Sequence, residues 1–340
     1  MRLDEPVTPG TALCITTSGS TGEPKGALLT HEALEASARA TLARIGRHDD
    51  DVWLSCLPWH HIAGLQVLLR SRLSGTPLVT HETFDPQAIA ADRSATLVSL
   101  VPTQLHRLLE AGIDLSRFRV VLLGGAPAPA TLLDRARQAG ANVVTTYGMS
   151  ETCGGCVYDG VPLDGVEVRV DEGARVAIRG PTLMSGYRMR DDLTGQVLVD
   201  GWFRTSDLGR WENGRLVVTG RADDVVVSGG ENVPTALVAE LLASHPNVAE
   251  VAVTGVPDPT WGERVVAVVR PAGPAPSLRE LREWVGRRAP VAFAPRGLVV
   301  VDELPLLPSG KLDRLAVARQ AAPAPAATSA SQSADPPSVA

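Results

Sequence analysis

The sequence predicts an α/β fold in which a large N-terminal domain precedes a smaller α+β domain. Apolar β-type runs alternate with helix-like stretches from Thr11 to about Ala141, which is typical of βα units around a mostly parallel sheet. Between Val166 and Thr219 the pattern changes to short strands broken by Gly, Pro and Asn, which indicates a β-rich subdomain of antiparallel hairpins. A compact set of strands and helices then follows Arg221.

Length and composition are consistent with this architecture. The chain has 340 residues, of which 44% are hydrophobic, so about 150 apolar side chains can form a core and a disordered chain or a single small module is excluded. The formal net charge is −6, which excludes a general electrostatic surface for nucleic acid or anionic lipid. Any anion must therefore be bound locally.

The ends of the chain and its cysteines give expectations about the compartment. Acidic residues occupy the N-terminus where a signal peptide needs an apolar core, and no apolar run approaches the ~18 residues of a membrane span. We therefore expect a cytoplasmic protein. Four cysteines are too few for a disulfide framework in a chain of this length, so free thiols are expected at Cys14, Cys56, Cys153 and Cys156.

Individual elements follow from the apolar pattern. In the large domain we predict strands at Val52 to Leu57, Thr96 to Leu100, Val120 to Leu123 and Asn142 to Thr146, and helices at Ala63 to Leu73, Thr103 to Leu109 and Ala130 to Ala139. The Asn213-Gly214 pair predicts a tight hairpin turn. In the small domain we predict strands at Val225 to Val227, Val248 to Thr254, Arg264 to Arg270 and Leu298 to Val301, and helices at Pro234 to Ala243 and Ser277 to Arg288.

These elements divide the chain into three parts. We predict an N-terminal domain over residues 1–220, a C-terminal domain over residues 221–320 and a disordered tail over residues 321–340. Ala, Pro and Ser make up 16 of the 20 tail residues and offer little to bury.

The strongest local motif is rich in hydroxyls and glycines and contains one lysine. Such a loop can hold a polyphosphate, because glycine lets backbone N–H groups approach oxygen atoms while Ser, Thr and Lys add donors. A Walker A loop is excluded, since Pro24 and Gly26 flank Lys25 where that motif needs Gly before the lysine and Ser or Thr after it. The predicted phosphate-binding residues are Thr17, Ser18, Gly19, Ser20, Thr21, Gly22 and Lys25.

The loop from Thr17 to Gly26 resembles the signature of adenylate-forming enzymes, the superfamily of acyl-CoA synthetases, luciferases and peptide-synthetase adenylation domains. Further motifs follow in the order found in that superfamily, and together they cover Thr16 to about Arg314. They are Tyr147 to Thr152, Gly201 to Asp207, Gly220 to Asp224 and Pro308 to Lys311. The resemblance implies that ATP and a carboxylate form an acyl-adenylate and pyrophosphate, and that a thiol then displaces AMP.

The resemblance also assigns roles on the nucleotide side. Glu151 would bind Mg²⁺, which favours one or two carboxylates together with phosphate oxygens. Asp207 would accept hydrogen bonds from the ribose hydroxyls, and Arg221 would contact the ribose or phosphate. The turn Gly124-Gly125 would lie beside the adenine. The remaining cofactor-binding candidates are Tyr147, Gly148, Met149 and Thr152.

In the small domain, Lys311 matches the lysine that stabilises charge while the carboxylate attacks the α-phosphate. Losing one such donor typically costs on the order of 10²-fold in rate. Asp223 matches the hinge about which a mobile C-terminal domain rotates between the two half-reactions. That rotation would exchange Lys311 for a loop near the thiol channel of coenzyme A, formed by Ser228, Gly229, Gly230, Glu231 and Asn232.

Four further segments carry a more specific resemblance, namely Leu57 to Leu65, Arg70-Ser71, Ser99 to Leu105 and Glu151 to Gly160. They are similar to those of a subfamily, the o-succinylbenzoate–CoA ligases of menaquinone biosynthesis. By position His61 would be catalytic and line the acyl pocket. Arg70, with Ser99 and Thr103, is the candidate set for the second, non-reacting carboxylate of o-succinylbenzoate, because arginine pairs with carboxylates in a bidentate manner. An arginine on a helix is also commonly a surface charge. The implied substrates are o-succinylbenzoate, ATP and coenzyme A.

Alternatives remain at this stage. A ligase for another aryl or acyl acid would share the ATP chemistry, and a non-catalytic nucleotide-binding relative would not need Lys311. The His60-His61 pair is not expected to bind metal, since adjacent side chains on a regular element diverge, and a lone Cys153-x-x-Cys156 pair is insufficient for zinc. Only about fifteen residues precede the phosphate loop, so a second subunit, in a homodimer, is one expected cover for exposed apolar surface.

Overall fold

The computed structural model of the protein describes residues 6–18, 24–307 and 310–322. Its N-terminal half starts with an antiparallel hairpin and continues with alternating strands and helices. These elements are β1 (Thr11–Ser18), β2 (Pro24–Thr30), α1 (His31–Ile45), β3 (Trp53–Ser55), α2 (Ile62–Ser74), β4 (Leu78–Thr80), α3 (Pro86–Ala91), β5 (Leu97–Leu100), α4 (Pro102–Glu110), β6 (Val120–Leu123), α5 (Ala130–Gln138), β7 (Val143–Met149), β8 (Gly154–Tyr158) and β9 (Val161–Pro162).

The next part is mostly strand, and the final part mixes strands and helices. The mostly stranded part contains β10 (Glu167–Val170), β11 (Arg175–Arg179), β12 (Gly186–Tyr187), α6 (Asp191–Val197), β13 (Leu198–Val199), β14 (Trp202–Glu212) and β15 (Arg215–Arg221). The last part contains β16 (Val225–Ser228), β17 (Glu231–Pro234), α7 (Thr235–Ala243), β18 (Val248–Asp258), β19 (Gly262–Pro271), α8 (Leu278–Gly286), β20 (Gly297–Val300) and α9 (Arg314–Ala321).

The large domain is built on a seven-stranded sheet with the order β4-β3-β5-β6-β7-β8-β9. The strands from β4 to β7 are parallel, whereas β8 and β9 are added antiparallel. Every residue of β3, β5 and β6 is buried, because helices cover both faces of the sheet. The predicted α/β fold is confirmed, and all seven elements predicted for this part are present, with β3 shorter than expected.

Alternate side chains of these strands enter two different cores. Leu54, Val98 and Val121 pack with α4 and α5 on one face, while Trp53 and Leu97 pack with α2 on the other. The carboxyl ends of the parallel strands β5, β6 and β7 therefore lie at one edge of the sheet, between the two packed cores. Ligands of α/β sheets bind at such an edge.

The β-rich part consists of antiparallel hairpins, as predicted. Strands β10, β11, β13, β14 and β15 form one sheet. The predicted Asn213-Gly214 turn joins β14 to β15, and both residues have positive φ angles of 49° and 75°, as a two-residue hairpin of right-handed twist requires.

The small part has a sheet with the order β17-β16-β19-β18, and β20 runs parallel to β19. Helices α7 and α8 contribute to one core, and α9 packs on the other face. All six predicted elements are present, but β17 and α9 were not predicted. The predicted tail also starts too early, because Ala321 is buried at the end of α9, whose first turn is capped by Asp313. The rest of the predicted tail, from residue 323, lies outside the described residues.

Candidate active site

Glu151 lies where β7 reaches the edge of the central sheet. After Met149 a single 3-10 turn, Ser150–Thr152, places Glu151 in a largely buried position. The Tyr187 hydroxyl donates a hydrogen bond of 2.8 Å to Glu151 Oε1, and Lys25 Nζ lies 5.5 Å from the centroid of the Tyr187 ring. Burial and the negative charge of Glu151 raise the pKa of Tyr187, so the tyrosine remains a neutral donor. Sequence reasoning missed Tyr187, and no local pattern marks it.

Asp207 forms a second, separate carboxylate site on β14. The Tyr147 hydroxyl donates to Asp207 Oδ2 at 2.7 Å, and Arg221 Nη1 donates to Oδ1 at 3.3 Å. Desolvation by burial raises the pKa of Asp207 against the effects of these two donors. Each carboxylate oxygen can accept a further hydrogen bond, so the geometry is compatible with a diol that approaches Asp207.

Arg221 ends β15 and joins Asp207 to the beginning of the small domain. Its Nε and Nη2 each donate to the Asp223 carboxylate at 2.8 Å. These hydrogen bonds are the main reason that the pKa of Arg221 is raised. The predicted hinge residue is therefore held by the same guanidinium that contacts the predicted ribose-binding carboxylate.

Lys311 extends from the small domain towards the edge of the central sheet. A β-carbon on Gly125, which has a φ of +83°, would lie 3.1 Å from Lys311 Cε, so glycine at this position leaves room for the lysine. The Lys311 loop is closed by hydrogen bonds from Leu307 N to the Lys311 carbonyl at 2.7 Å and from Gly310 N to the Leu307 carbonyl at 2.8 Å.

His61, Glu151 and Lys311 share one electrostatic environment. Desolvation lowers the pKa of Lys311, whereas the charge of Glu151 acts to raise it. The pKa of His61 is lowered by desolvation and, to a smaller extent, by His60 and Lys311. Lys311 is nevertheless an exposed residue, because its side chain points into an open cleft and not into a packed core.

Arg70, in contrast, is inside the core between α2 and the sheet. It is 4% exposed. Its Nε donates to the Gln66 carbonyl at 2.8 Å, its Nη2 donates to Ser99 Oγ at 3.3 Å, and its guanidinium carbon lies 4.7 Å from the centroid of the Trp53 ring. No ion pair joins Arg70 to a carboxylate within the part of the chain that the structure describes. Desolvation lowers its pKa.

Thr103 has a different environment from Arg70 and Ser99. Its hydroxyl donates to the Gly310 carbonyl at 2.7 Å, and its role beside the acid stays a prediction. One expectation needs correction, because the His60 and His61 rings do not diverge. Their centroids lie 4.4 Å apart, since the pair precedes α2 and is not part of a regular element.

Other predicted residues have mainly structural contacts. The Thr152 hydroxyl accepts from Met149 N at 2.9 Å and donates to the Gly154 carbonyl at 2.7 Å, and a β-carbon on Gly148 would collide with the Gly154 carbonyl. Gly124 likewise lies against Thr146. All four cysteines are free thiols, as predicted. Cys56, Cys153 and Cys156 are buried, and Cys14 is partly exposed.

The predicted coenzyme A loop lies entirely on the small domain in this structure. Ser228 is buried at the end of β16, and Gly229 and Gly230 form the turn to Glu231 and Asn232 at the start of β17. The Gly229 amide donates to the Trp261 carbonyl at 2.9 Å. The Lys311 loop, in contrast, contacts Thr103 and Gly125 of the large domain and therefore lies at the cleft.

Part of the predicted phosphate loop lies outside the described residues, namely Gly19, Ser20, Thr21, Gly22 and the side chain of Ser18. Thr17 lies at the end of β1 and pairs with Lys25 on β2. Lys25, at the start of β2, lies on the Glu151 side of the cleft, because its Nζ approaches the ring of Tyr187, which contacts Glu151.

The Glu151 carboxylate, whose Oε1 accepts from Tyr187, is a hard oxygen ligand of the kind that Mg²⁺ takes together with phosphate oxygens. The described residues contain no cluster of three or more His, Cys, Asp or Glu side chains that could hold a metal. Within the described residues, no helix is both long and apolar enough to cross a membrane.

Comparison with known proteins gives consistent results. Residues 3–188 match the model of the AMP-binding enzyme family, and residues 237–311 match that of the AMP-binding enzyme C-terminal domain. A "Probable 2-succinylbenzoate–CoA ligase" from Mycobacterium tuberculosis is 46% identical over 337 residues, which cover 94% of this chain and 87% of the relative.

Two solved structures from Bacillus subtilis are also similar to the chain. An o-succinylbenzoate CoA synthetase in complex with the acyl-adenylate intermediate has a TM-score of 0.81 and 34% identity, covering 90% of this chain and 69% of the other. The same synthetase in complex with ATP and magnesium ion has a TM-score of 0.80 and 32% identity, covering 92% and 70%.

Proposed function

This chain belongs to the family of AMP-binding enzymes, and we propose that it ligates o-succinylbenzoate to coenzyme A. In the first half-reaction a carboxylate oxygen of the acid attacks the α-phosphorus of ATP, and the bond to the β-phosphate oxygen breaks to release pyrophosphate. In the second, the sulfur of coenzyme A attacks the acyl carbonyl, and AMP leaves. Activation is needed because oxide is a poor leaving group and AMP is a good one.

Arg70 is the observation that carries the choice of acid. A buried arginine without a carboxylate partner is costly, because desolvation is not compensated by an opposite charge. The relatives are named for succinylbenzoate, which is a dicarboxylate, and the second carboxylate of such a substrate would supply the missing charge. Ser99, which accepts from Arg70, would position the guanidinium for that carboxylate.

The reacting carboxylate and the α-phosphate would lie between Lys311 and Glu151. Lys311 would stabilise the negative charge that develops on the phosphate oxygens, and a preorganised cation of this kind acts without reorganisation at the moment of reaction. The lowered pKa of His61 keeps this side chain neutral at pH 7, so His61 can line the acyl pocket without attracting the reacting carboxylate away from phosphorus.

Nucleotide contacts would come from three sheets of the large domain. Asp207 would accept the ribose hydroxyls, with Tyr147 and Arg221 orienting its carboxylate. Lys25 would contact the polyphosphate. Glu151, oriented by Tyr187, would hold Mg²⁺, which neutralises phosphate charge when bound.

The test is pyrophosphate release from Mg·ATP with o-succinylbenzoate, followed by addition of coenzyme A and detection of the thioester by mass spectrometry. Benzoate and a long-chain fatty acid serve as comparison substrates. We expect release only with o-succinylbenzoate. Release with a different acid would retain the enzyme class and reject the substrate. If none of the acids supports pyrophosphate release, a nucleotide-binding role without catalysis would be favoured.

Location and assembly are separate parts of the proposal. We place the enzyme in the cytoplasm, because ATP and coenzyme A are its substrates. A homodimer is the predicted assembly, and a monomeric sedimentation profile would contradict it. The net charge of −6 gives no reason to propose a nucleic acid partner.

A further inference from the structure

We propose that one face of α4 is a docking surface that selects the domain orientation of the first half-reaction, with Thr103 and Arg270 as positioning residues. The proposal rests on the ligase function above. Thr103, His106 and Glu110 all lie on α4, and their spacing of three and four residues puts them on one face of the helix. Each of the three has a hydrogen bond or ion pair to the small domain.

The first contact point holds the lysine loop itself. Thr103 Oγ1 donates to the Gly310 carbonyl at 2.7 Å, and Gly310 directly precedes Lys311. Gly310 has a φ of +75°, and a β-carbon there would lie 2.9 Å from Val101 Cγ2. The close approach of the loop to the start of α4 thus depends on glycine, and the Thr103 hydroxyl fixes the peptide next to the lysine.

The second contact point is an ion cluster at the other end of α4. Arg270 Nη2 lies 2.8 Å from His106 Nε2 and 3.3 Å from Glu110 Oε1. Glu250, which is opposite Arg270 in the β18–β19 ladder, accepts from Arg270 Nε at 2.7 Å. Glu250 therefore holds the arginine from within the small domain and leaves the other side of the guanidinium for α4.

Two separated contacts restrict rotation in a way that one contact does not. Seven residues of α-helix span about 10 Å, so the Thr103 and Glu110 contacts fix both the position and the direction of the small domain against α4. Lys311 must leave the cleft before the Ser228 to Asn232 turn can take its place. Both contacts must break for that exchange, so they favour the first half-reaction alone.

The experiment measures the two half-reactions separately in the full-length enzyme. Thr103→Val and Arg270→Gln should each lower pyrophosphate release about two- to tenfold, the effect of one ordinary hydrogen bond on an equilibrium. Thioester formation from presynthesised acyl-adenylate should be unchanged or faster. Thr103→Ser, which keeps the hydroxyl, should recover most of the loss.

A matched control is available on the same strand. Arg264 lies on β19 and pairs with Asp258 within the small domain, so Arg264→Gln should leave both half-reactions unchanged. Glu110→Gln combined with Arg270→Gln should cost less than the sum of the single variants, because both remove the same contact. Equal losses in both half-reactions, or additive effects of these two variants, would overturn the docking role.

Thr103 also has a competing role as a contact for the acid. If Thr103→Val raised the KM for o-succinylbenzoate and left the rate at saturating acid unchanged, Thr103 would bind substrate and the proposal would be wrong for that residue. The expected result is the opposite, a lower saturated rate with an unchanged KM.

A crosslink provides a readout that does not depend on activity. His106→Cys combined with Arg270→Cys should be joined by a short bis-maleimide, with each single variant as a control. Three of the native thiols are buried with pKa values raised to about 12, which slows their reaction. The linked enzyme should release pyrophosphate but form no thioester.

The crosslink also separates failure of this proposal from failure of the ligase function. If no acid supports pyrophosphate release, the ligase function fails, and docking is judged by crosslink yield alone. Addition of Thr103→Val should then lower the yield. An unchanged yield would overturn the docking proposal.

Discussion

Two cations of the proposed active site are held in opposite ways. Arg70 is enclosed between α2 and the sheet, with hydrogen bonds to Gln66 and Ser99 and the Trp53 ring beneath it. Lys311 belongs to another domain and reaches a partly open cleft on a loop held by Thr103. A charge that only recognises substrate can be permanent, whereas a charge needed in one half-reaction must be able to leave.

The largest expected effect comes from removing the movable cation. Lys311→Ala should lower pyrophosphate release with o-succinylbenzoate by about 10²- to 10³-fold, because one preorganised donor to the developing charge is lost. Capture of presynthesised acyl-adenylate by coenzyme A should stay within about threefold, since the proposed domain rotation would have moved Lys311 out of the cleft by then. Comparable losses in both steps, measured by rapid quench, would remove the distinction between the two cations.

The fixed cation should affect specificity instead of one half-reaction. Arg70→Met should lower kcat/KM for o-succinylbenzoate about 30-fold or more, the usual effect of removing one partner from a buried charge pair. The activity with benzoate, which lacks the second carboxylate, should change less than about threefold. If both acids lose activity equally, Arg70 supports the fold of the pocket and does not recognise a carboxylate.

The same variant tests the cost of the permanent charge. Arg70 has lost its hydration without gaining a carboxylate partner among the described residues. Replacement of such a cation by an apolar side chain of similar length is often neutral or stabilising. The free energy of unfolding of Arg70→Met, measured by denaturant titration, should therefore be equal to or greater than that of the wild type. A clear loss of stability would contradict this reading.

The movable cation should also set the alkaline limit of the first half-reaction. Lys311 is useful only when protonated, and desolvation lowers its pKa below the ordinary 10.5. The kcat/KM for ATP should thus fall about tenfold per pH unit above a pKa that is lower than 10.5. The stability of the docked arrangement has the opposite pH dependence. Because Lys311 has a lower pKa when docked than when undocked, docking becomes more favourable as pH rises from the docked pKa to the undocked pKa.

Lys311→Arg is the control for this profile. Arginine keeps its proton at all accessible pH values, so the residual activity of the variant should lose the alkaline limb. A limb that persists unchanged in Lys311→Arg would have to be assigned to another group.

The two cations also differ in how well sequence reasoning found their surroundings. Helix α2, which carries Arg70, and strand β5, which carries Ser99, were both predicted, because their apolar patterns give each residue a regular place on an element. The motif containing Lys311 was identified as well. Its partner was not, since the Thr103 hydroxyl meets the Gly310 carbonyl only through the docking of two domains.

Tyr187 and α9 were missed for a similar reason. Tyr187 lies on a two-residue strand and reaches Glu151 across 36 positions of the chain, so no local period marks it. Helix α9 is short and keeps its place by burying Val317 and Ala321 against β18 and β19. Local patterns predict elements, but contacts between distant short segments depend on packing that the pattern does not contain.

The smallest expected effect concerns two glycines that both have a positive φ angle. Gly125 (φ +83°) lies against Lys311, while Gly75 (φ +67°) ends α2, the helix of Arg70, and a β-carbon there would meet nothing within 4 Å. Each alanine substitution should cost about 1 kcal/mol of stability, because L-residues rarely adopt such angles. Only Gly125→Ala should also slow pyrophosphate release, by about three- to tenfold, since the added carbon displaces Lys311 by a few tenths of an ångström. If Gly75→Ala slows pyrophosphate release equally, backbone strain and not the position of Lys311 would explain the loss. The rate would then not depend on a small displacement of Lys311.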